Sequence, residues 1–290
     1  MSKPKILIQF DSDAHASVFD AVVAVDSGID HLLQYGSVEP AQLRDLVHGA
    51  MFTRGPQDLH QTAIFIGGSN VAQGEELLRL VKKCFFGPLR VSVLLDANGA
   101  NTTAAAAVIA ASRHLNLAET TATVLAATGP VGQRVARLLA GLGATVKLGS
   151  RSVERAEHAC QQLRELLPAA KVSALQTATS LETGRSLEGS QLVIAAGAAG
   201  IELLSAEVRA ASALKVTIDL NAVPPVGIAG IEQGDKAKER GAQICYGALG
   251  VGGTKMKIHR AAIQKLFTAN SLILDAEEVL QIGQELENSA

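Results

Sequence analysis

Hydrophobic residues along the chain fall into short runs that alternate with amphipathic stretches. Runs of strand length lie at 6–10, 63–66 and 90–96, and each is followed by Gly, Asn or Asp. Helical patterns lie at about 17–25, 40–50, 71–85 and 101–116. This alternation predicts βα units and a mostly parallel sheet.

The alternation restarts after a polar break at residues 116–121. Strands are predicted at 123–127, 145–149, 171–176, 192–196 and 216–220, and helices at 131–142, 153–167 and 255–288. We therefore predict an α/β protein of two lobes, an N-terminal α/β domain and a doubly wound, parallel-sheet Rossmann domain. Residues 1–118 and 262–290 form the first and residues 119–261 the second, with the C-terminal helices packed back on the first lobe.

Composition and charge narrow the classes of function. The 26 basic and 28 acidic residues give a net charge of −2, and only 3% of residues are aromatic, so nucleic acid is not a favoured ligand. Three cysteines, and histidines without metal-binding spacing, predict neither a disulfide framework nor a metal site. The longest apolar run, residues 104–111, is too short to cross a membrane. We expect a reduced, cytoplasmic protein without membrane partners.

A glycine turn follows the predicted strand at 123–127 and opens an amphipathic helix. This is the context that a GxGxxG dinucleotide-binding motif requires, although Ala127 replaces the first glycine. Gly129 would let the backbone approach a pyrophosphate at the helix N-terminus, and Gly132 would let the helix pack close to the strand. The alternative is a tight βα turn without a ligand. The predicted cofactor-binding residues of the turn are Thr128, Gly129, Pro130, Val131 and Gly132.

The end of the next predicted strand bears on the choice of cofactor. An acid here would bind the ribose 2′-hydroxyl of NAD, but the chain reads Gly149-Ser150-Arg151-Ser152 and has no acid before Glu154. The Arg151 guanidinium and the serine hydroxyls suit a 2′-phosphate, which favours NADP and leaves NAD open. The alternative is that Ser152 caps a helix and Arg151 is a solvated charge.

Small and amide residues follow the last two predicted strands. Ala196 and Gly197 would let a ribose pass close to the backbone, or would simply pack closely. Asn221 precedes a double proline that stiffens its loop, and its side chain could hold a nicotinamide carboxamide or a substrate.

Six segments, mostly loops at predicted strand ends, form a specific pattern. They lie at 10–30, 62–68, 85–106, 128–132, 219–227 and 247–260, and include FDSDAHASVFDAVVAVDSGID, DLNAVPPVG and GALGVGGTKMKIHR. Over its full length the chain resembles the NAD(P)-dependent methylene-tetrahydromethanopterin dehydrogenases of one-carbon metabolism. The resemblance implies a pterin-binding first lobe, a cleft between the lobes, and a homotrimer or homohexamer.

The reaction that this resemblance implies moves a hydride from the methylene bridge of the pterin to C4 of the nicotinamide. The pterin is tetrahydromethanopterin or tetrahydrofolate, and the sequence leaves that choice open. The two nitrogens beside the bridge carbon stabilise the resulting amidinium cation, so no proton leaves and no general base is needed. The site must instead orient two flat rings and stabilise a developing cation.

Polar residues at two predicted helix starts are candidates for the pterin site. Ser17 and Asp20 fit a capping box, whereas the resemblance favours Asp20 facing the forming cation. The turn at 96–103 offers hydrogen-bonding side chains suited to the amide-like edge of a pterin, or ordinary turn and cap chemistry. The predicted substrate contacts are His15, Ser17, Phe19, Asp96, Asn98, Gly99, Asn101, Thr102, Thr103 and Lys255.

Two lysines stand at what reads as the start of the C-terminal helix. If Thr254 caps that helix, Lys255 and Lys257 lie in its first turn, where each cation opposes the helix dipole by about 0.3–1 kcal/mol. With Asp20, Lys257 is the predicted catalytic residue, partly because the family pattern places a lysine there. A full charge would disfavour the amidinium, so we expect Lys257 to pair with Asp20 or to be neutral through desolvation. The alternative is a pair of solvated lysines.

Two rival functions stay open on the sequence alone. An NADP oxidoreductase similar to shikimate dehydrogenases would use the same lobes and a lysine–aspartate pair, which Lys257 and Asp96 could mimic beside Thr102 and Thr103. A non-catalytic NADP-sensing protein would need only the Rossmann lobe.

Overall fold

The computed structural model describes residues 3–289 of the chain. The chain divides into two compact units, the first made of residues up to 102 and from 256 onward, the second of residues 103–255. Both points of division lie inside helices. The boundaries at 118/119 and 261/262 stay a prediction.

Strands and helices alternate along most of the described chain. The strands are β1 (Ile6–Phe10), β2 (His31–Tyr35), β3 (Thr62–Ile66), β4 (Ser92–Leu95), β5 (Thr121–Leu125), β6 (Thr145–Ser150), β7 (Lys171–Gln176), β8 (Leu192–Ala195), β9 (Val216–Asp219), β10 (Lys238–Arg240), β11 (Gln243–Tyr246) and β12 (Ile273–Leu274). The helices are α1 (Val18–Asp26), α2 (Pro40–Phe52), α3 (Val71–Lys83), α4 (Ala100–Ser112), α5 (Pro130–Gly141), α6 (Val153–Leu166), α7 (Ser180–Ser186), α8 (Ala206–Ala210), α9 (Ala248–Lys265) and α10 (Ala276–Asn288). Within residues 3–289, none of these helices combines the length and the apolar character that crossing a membrane would require.

The first unit is built on a five-stranded parallel sheet in the order β12-β4-β3-β1-β2. β3 is buried along its whole length, whereas β2 forms an exposed edge. The chain passes from β1 to β2 on one side and returns to β3 on the other side of β1. The order therefore reverses between β1 and β3, which is where open α/β sheets bind ligands, at the carboxyl ends of the strands.

The second unit has a seven-stranded sheet in the order β10-β11-β9-β8-β5-β6-β7. All neighbours are parallel except β10 and β11. The strand order reverses at β5, so the loop after β5 lies at the switch point of a doubly wound sheet. Apolar side chains, among them Leu125, Val193 and Ile228, form the core of this unit.

The predicted α/β architecture is confirmed, and each predicted strand matches an observed strand to within two residues at either end. The helices before residue 170 match as closely, except that α4 ends at Ser112 rather than near 116. The structure adds β2, β10, β11, β12, α7 and α8. These elements are short or lie at sheet edges, so their hydrophobic pattern is weak.

The prediction that the chain returns to helix at 255–288 is confirmed for most of the segment, but the first helix begins earlier than predicted and a short strand separates it from the second. The structure has α9, which begins at Ala248, then the short strand β12, then α10. Lys255 and Lys257 therefore lie inside α9, not in its first turn, and Thr254 is not its cap. The argument from an adverse helix dipole fails with that cap, because the effect falls off beyond the first turn.

Close packing explains why glycine occupies two positions at the start of this stretch. A Cβ atom at position 250 would lie 1.8 Å from the carbonyl oxygen of Asp235, and one at position 247 would lie 2.0 Å from that of Glu232. Glycine at these two positions lets the start of α9 lie directly against the loop at 232–236.

Candidate active site

The glycine turn joins β5 to α5 at the switch point of the second sheet. Gly129 is the N-cap of α5 and offers no side chain to its first amides, and Pro130 at the next position has no N–H. The amides of Val131 and Gly132 are therefore placed for an anion. A Cβ atom at position 132 would lie 2.5 Å from the Ala126 carbonyl oxygen, so only glycine fits there. This backbone cradle fits a pyrophosphate.

The end of β6 lies beside the turn. Thr128 Oγ1 and Ser150 Oγ are 3.5 Å apart, and Ser150 is buried. Ser152 caps α6 through a 3.3 Å bond from a backbone amide and donates a 2.7 Å bond to Glu154, which confirms its predicted structural role. The Arg151 side chain is exposed and can reach a ligand without losing an internal bond.

Two of the other predicted cofactor contacts have structural partners. A Cβ atom at Gly197 would lie 2.7 Å from a methyl carbon of Leu203, so this glycine permits close packing. The Asn221 amide group donates to the Pro225 carbonyl at 3.1 Å, and its oxygen accepts from the Val223 amide at 2.9 Å. Asn221 thus holds its own loop in shape. It stays a prediction that a cofactor contacts Asn221, Gly197 and the half-buried Ala196.

Asp219, at the end of β9, anchors the same loop. It is buried, and its carboxylate accepts from the Asn221 and Ile228 amides at 3.0 and 2.9 Å. Burial raises the pKa of the Asp219 carboxyl, although the backbone bonds act in the opposite direction. Asp219 therefore has a structural role, which is to hold the loop after β9 in place.

In the first unit, two carboxylates face the backbone of Gly67 at the reversal between β1 and β3. A Cβ atom at position 67 would lie 3.4 Å from Asp11 Oδ2 and 3.5 Å from Asp20 Oδ2. The two acids come from different elements, the end of β1 and the first turn of α1. This carboxylate pair places negative charge at the ligand-binding edge of the sheet.

Asp11 also orders the loop that leads into α1. The carboxylate accepts from the Asp13 amide at 2.9 Å and from the Ser17 amide at 3.1 Å. Ser17 is the N-cap and accepts from the Asp20 amide at 3.2 Å. The capping box predicted for Ser17 and Asp20 is therefore only half present. The Ser17 side chain accepts from the Asp20 amide, but the Ser17 amide donates to Asp11 and not to Asp20.

An aromatic cluster lies next to the carboxylate pair. The ring of His259 on α9 is buried, and its centroid is 5.7 Å from that of Phe65 and 6.5 Å from that of Phe19. Phe19 is half exposed and precedes Asp20 in α1. The exposed side of the cluster offers an apolar surface suited to a flat ring beside two acids.

Three of the residues predicted to contact substrate form hydrogen bonds that stabilise the start of α4. Asp96 is buried and accepts from the amides of Asn101 and Thr102 at 2.9 and 3.0 Å and from the Thr102 hydroxyl at 2.6 Å. Asn101 donates to the Leu95 carbonyl at 2.6 Å and to Asp275 at 3.0 Å. These bonds show cap chemistry, and contact with substrate stays a prediction for all three.

The remaining predicted residues are more accessible. His15, Asn98 and Lys257 are exposed, whereas Gly99, Thr103 and Lys255 are half-buried. Asn98 has a φ of 56° and forms the expected turn with Gly99. Lys257 lies on α9 two residues before His259, so it shares a helix with the aromatic cluster. Within residues 3–289, no group of three His, Cys, Asp or Glu side chains could hold a metal.

Sequence reasoning missed Asp11 and His259. Asp11 directly follows a buried strand, and that position alone is a signal at the carboxyl edge of a parallel sheet. His259 could be recognised only with the correct start of α9, because its orientation toward Phe65 depends on the helix register.

The two sheets and the glycine turn define the class of this protein as an α/β protein with a Rossmann-type dinucleotide-binding unit. The fold is shared with shikimate 5-dehydrogenase from Listeria monocytogenes, solved in complex with shikimate and NAD, with a TM-score of 0.55 over 98% of this chain and 96% of that one. At 16% identity this similarity shows the fold alone.

Relatives over the full length identify the family. The chain is 45% identical over 289 residues to Bifunctional protein MdtA of Methylorubrum extorquens, which covers 99% of this chain and 100% of that protein. It is 30% identical over 283 residues to the NAD(P)-dependent methylenetetrahydromethanopterin dehydrogenase of the same organism, over 94% and 95% of the two chains. A family model described as "Methylene-tetrahydromethanopterin dehydrogenase, N-terminal" matches residues 18–98. The chain belongs to the NAD(P)-dependent methylene-tetrahydromethanopterin dehydrogenase family.

Proposed function

We propose that the chain oxidises the methylene bridge of methylene-tetrahydromethanopterin, or of methylene-tetrahydrofolate, with NADP as the hydride acceptor. The observation that carries the proposal is the pair of carboxylates, Asp11 and Asp20, that face Gly67 in a member of this family. The reaction produces a cation and releases no proton, so it needs stabilisation by negative charge and does not require a general base.

The second unit would hold the dinucleotide. The free amides at the start of α5 bind the pyrophosphate, and glycine at position 132 keeps the turn tight enough for that contact. Ser150, Ser152 and the exposed Arg151 would receive the 2′-phosphate, with Arg151 supplying a charge-assisted hydrogen bond. When bound, the nicotinamide supplies an electrophilic C4 carbon that accepts the hydride.

The first unit would hold the pterin and stabilise its oxidised form. A C–H bond of the methylene bridge breaks, both electrons leave with the hydrogen, and the pterin gains one positive charge shared by two nitrogens. Asp20 and Asp11 stabilise that charge, and opposite unit charges 4 Å apart gain about 4 kcal/mol at an effective dielectric constant of ~20. Phe19 orients the flat ring from the exposed side of the aromatic cluster.

Lys257 would position the pterin from α9. Its exposed amine can donate a hydrogen bond to the pterin carbonyl oxygen, and pairing with Asp20 would limit the adverse effect of its charge on the cation. We also infer self-association, because the first unit exposes several large apolar side chains. A homotrimer or homohexamer and a cytoplasmic location are what the resemblance to the family implies.

Absorbance of reduced nicotinamide tests the function directly. The protein is mixed with NADP and either methylene-tetrahydromethanopterin or methylene-tetrahydrofolate, and shikimate serves as the control substrate. We expect turnover with a methylene pterin and none with shikimate. Tight NADP binding without turnover of either pterin would favour a sensor instead, and turnover of shikimate would favour the rival oxidoreductase.

A further inference from the structure

Three loops at the carboxyl edge of the first sheet meet at Asp13. Its backbone amide donates to the Asp11 carboxylate at 2.9 Å, and its carbonyl accepts from the Ser37 amide at 2.7 Å. Its carboxylate accepts from Ser69 twice, from the amide at 2.9 Å and from the hydroxyl at 2.8 Å. Asp13, Ser37 and Ser69 follow β1, β2 and β3, respectively. We name the two bonds between the Asp13 carboxylate and Ser69 the Asp13 clamp.

The clamp holds a segment of two glycines. Gly67 and Gly68 connect the end of β3 to Ser69, and the carboxylate pair faces the backbone of Gly67. Gly68 has a φ of 95°, and glycine has more conformational freedom to lose on folding than any other residue. Backbone bonds hold the segment from the Gly67 amide to the Phe10 carbonyl, at 2.9 Å, and from the Asn98 amide to the Gly68 carbonyl, at 2.6 Å. The clamp adds bonds to a side chain, which a substitution can remove.

The loop after β2 packs on the other side of Asp13. A Cβ atom at position 36 would lie 2.5 Å from the Ala14 carbonyl oxygen, so only glycine fits against the loop after β1. Ser37 has a φ of 52°, a left-handed conformation that residues other than glycine rarely adopt. Such a conformation persists where the surrounding structure determines it, and the bond from the Ser37 amide to the Asp13 carbonyl is part of that structure. Asp13 is therefore held from the side of β2 and itself holds the loop on the side of β3.

We propose that Asp13 is a positioning residue of the pterin site, which sets the distance between the Asp11 carboxylate and the Gly67 backbone without touching substrate. Two contacts support this role. Asp11 receives the Asp13 amide, and Ser69, which the Asp13 side chain holds, is only two residues after Gly67. Asp13 thus bridges the acid and the glycine segment that the acid faces. The proposal rests on the proposed function, because it assumes that the carboxylate pair stabilises the oxidised pterin.

The clamp depends on the geometry of the carboxylate and not on its charge. An asparagine at position 13 can form both bonds, because its carbonyl oxygen accepts from the Ser69 amide and its NH₂ group donates to the Ser69 hydroxyl oxygen. An alanine forms neither bond. Asp13→Asn therefore keeps the clamp and removes the charge, whereas Asp13→Ala removes both. Comparison of the two variants separates positioning from an electrostatic effect on the cation.

Asp30 provides a matched control at the opposite edge of the same sheet. Its carboxylate accepts from the Lys5 amide at 2.6 Å and so joins the residues that precede β1 and β2. Asp30→Ala therefore removes a comparable bond between an aspartate and a backbone amide, but at the amino ends of the strands. Ser69→Ala is a partial variant, because it removes the hydroxyl bond of the clamp and keeps the amide bond.

Steady-state kinetics with NADP and the methylene pterin that the unmodified chain turns over test the role. Asp13→Ala is expected to lower kcat about 10²-fold, the cost of a misplacement of about 1 Å at a reacting centre, and to leave KM for NADP unchanged. Asp13→Asn should keep most of the activity, Ser69→Ala an intermediate part, and Asp30→Ala all of it. A loss in Asp13→Asn equal to that in Asp13→Ala would overturn the proposal, as would full activity in Asp13→Ala or an equal loss in Asp30→Ala.

Hydrogen exchange tests the clamp independently of activity. Amides in peptides that cover residues 66–70 are expected to exchange faster in Asp13→Ala than in the unmodified chain, and at unchanged rates in Asp13→Asn and Asp30→Ala. Circular dichroism establishes that each variant is folded. Unchanged exchange in Asp13→Ala would overturn the clamp even if the enzyme turns over. An unmodified chain that turns over neither pterin would overturn the proposed function and the role at the pterin site, whereas faster exchange in Asp13→Ala would still establish the clamp.

Discussion

Asp11 illustrates how one residue can both build a site and take part in it. Its carboxylate accepts the Asp13 and Ser17 amides, which fixes the loop before α1 and so sets where Asp20 points. The same carboxylate faces Gly67 together with Asp20. An added Cβ atom at position 67 would contact both carboxylates, at 3.4 and 3.5 Å, and would lie 3.1 Å from the Phe65 ring.

Lys257→Gln is expected to lower kcat for the methylene pterin by about 10²-fold, because the shorter, neutral side chain no longer places a charged donor at the pterin, and loss of one positioned donor in a transition state costs about that much. Glutamine keeps an N–H donor but not the charge, so Lys257→Arg, which keeps the charge, should retain more activity than Lys257→Gln. Lys171→Gln, an exposed lysine on β7, is the matched control. Undiminished turnover in Lys257→Gln would remove the lysine from the mechanism.

Arg151→Ala is expected to raise KM for NADP about 10-fold, because a charge-assisted bond to a phosphate contributes roughly 1.5–3 kcal/mol and exposure reduces that value. KM for NAD should not change, since NAD lacks the 2′-phosphate. Arg155→Ala removes a neighbouring exposed arginine and controls for a general loss of positive charge. An unchanged preference for NADP would exclude Arg151 from the phosphate site.

At the scale of elements, the loop at 232–240 determines where α9 begins. Arg240 donates two bonds to Asp235, at 2.5 and 2.8 Å, and Asp235 also accepts from the Glu232 amide at 2.9 Å. This network shapes the backbone on which Gly247 and Gly250 rest. The residue at which α9 begins therefore depends on a loop that precedes it in the chain.

Asp235→Asn is expected to destabilise the protein at pH 7 by about 1–3 kcal/mol, because it removes the buried charged partner of the Arg240 guanidinium and leaves only the exposed carboxylate of Glu232, at 2.9 Å. Burial raises the pKa of the Asp235 carboxyl, but the hydrogen bonds from Arg240 and the Glu232 amide outweigh it, so the pKa is lowered in the folded state. The stabilisation is therefore present above the pKa of an unfolded aspartate, ~3.9, and is lost as pH falls through the lower folded value.

Urea unfolding at pH 7 and at about pH 3 measures this effect. The difference between the unmodified chain and Asp235→Asn should shrink at the lower pH. Asp45→Asn breaks an exposed ion pair with Arg44 and should change the free energy of unfolding by less than ~0.5 kcal/mol. A pH-independent difference would show that the carboxylate charge is not the cause.

Helices and strands that bury an apolar face can be predicted from the sequence, because their hydrophobic pattern is local. Elements whose bounds depend on packing against distant segments cannot be predicted in this way. β3 is buried on both faces and reads as a continuous apolar run, whereas β2 is exposed and gives little pattern. The glycines at 250, 252 and 253 suggest a break, yet all three lie within α9, and only Gly250 among them packs against the preceding loop.

The same distinction between local and long-range features applies to the residues of the candidate site. The cofactor turn is local, so five consecutive residues and their flanking strand and helix suffice to predict it. The carboxylate pair joins residues 11, 20 and 67, which only the completed sheet brings together. The opposite case also occurs, in which residues that look suited to a ligand instead cap a helix. Such residues at the start of α4 are Asp96, Asn101 and Thr102.

For the molecule as a whole, NADP binding is expected to raise the unfolding temperature. Ligand at 100 times its Kd stabilises a folded protein by about 2.7 kcal/mol, which corresponds to several degrees for a protein of this size. Calorimetry with and without NADP measures the shift. Gly132→Ala, which would place a Cβ 2.5 Å from a carbonyl oxygen, should abolish it, and an equal shift in that variant would contradict the assigned pyrophosphate site.

The discontinuous first unit has a consequence for synthesis on the ribosome. Its fifth strand, β12, pairs with β4 but is made some 180 residues later, whereas the second unit is one continuous stretch of chain. At about 5–20 residues per second, roughly ten to forty seconds pass during which β4 stands as a bare sheet edge in the nascent chain. The nascent protein thus has to shield its N-terminal sheet from neighbouring chains until its last residues emerge.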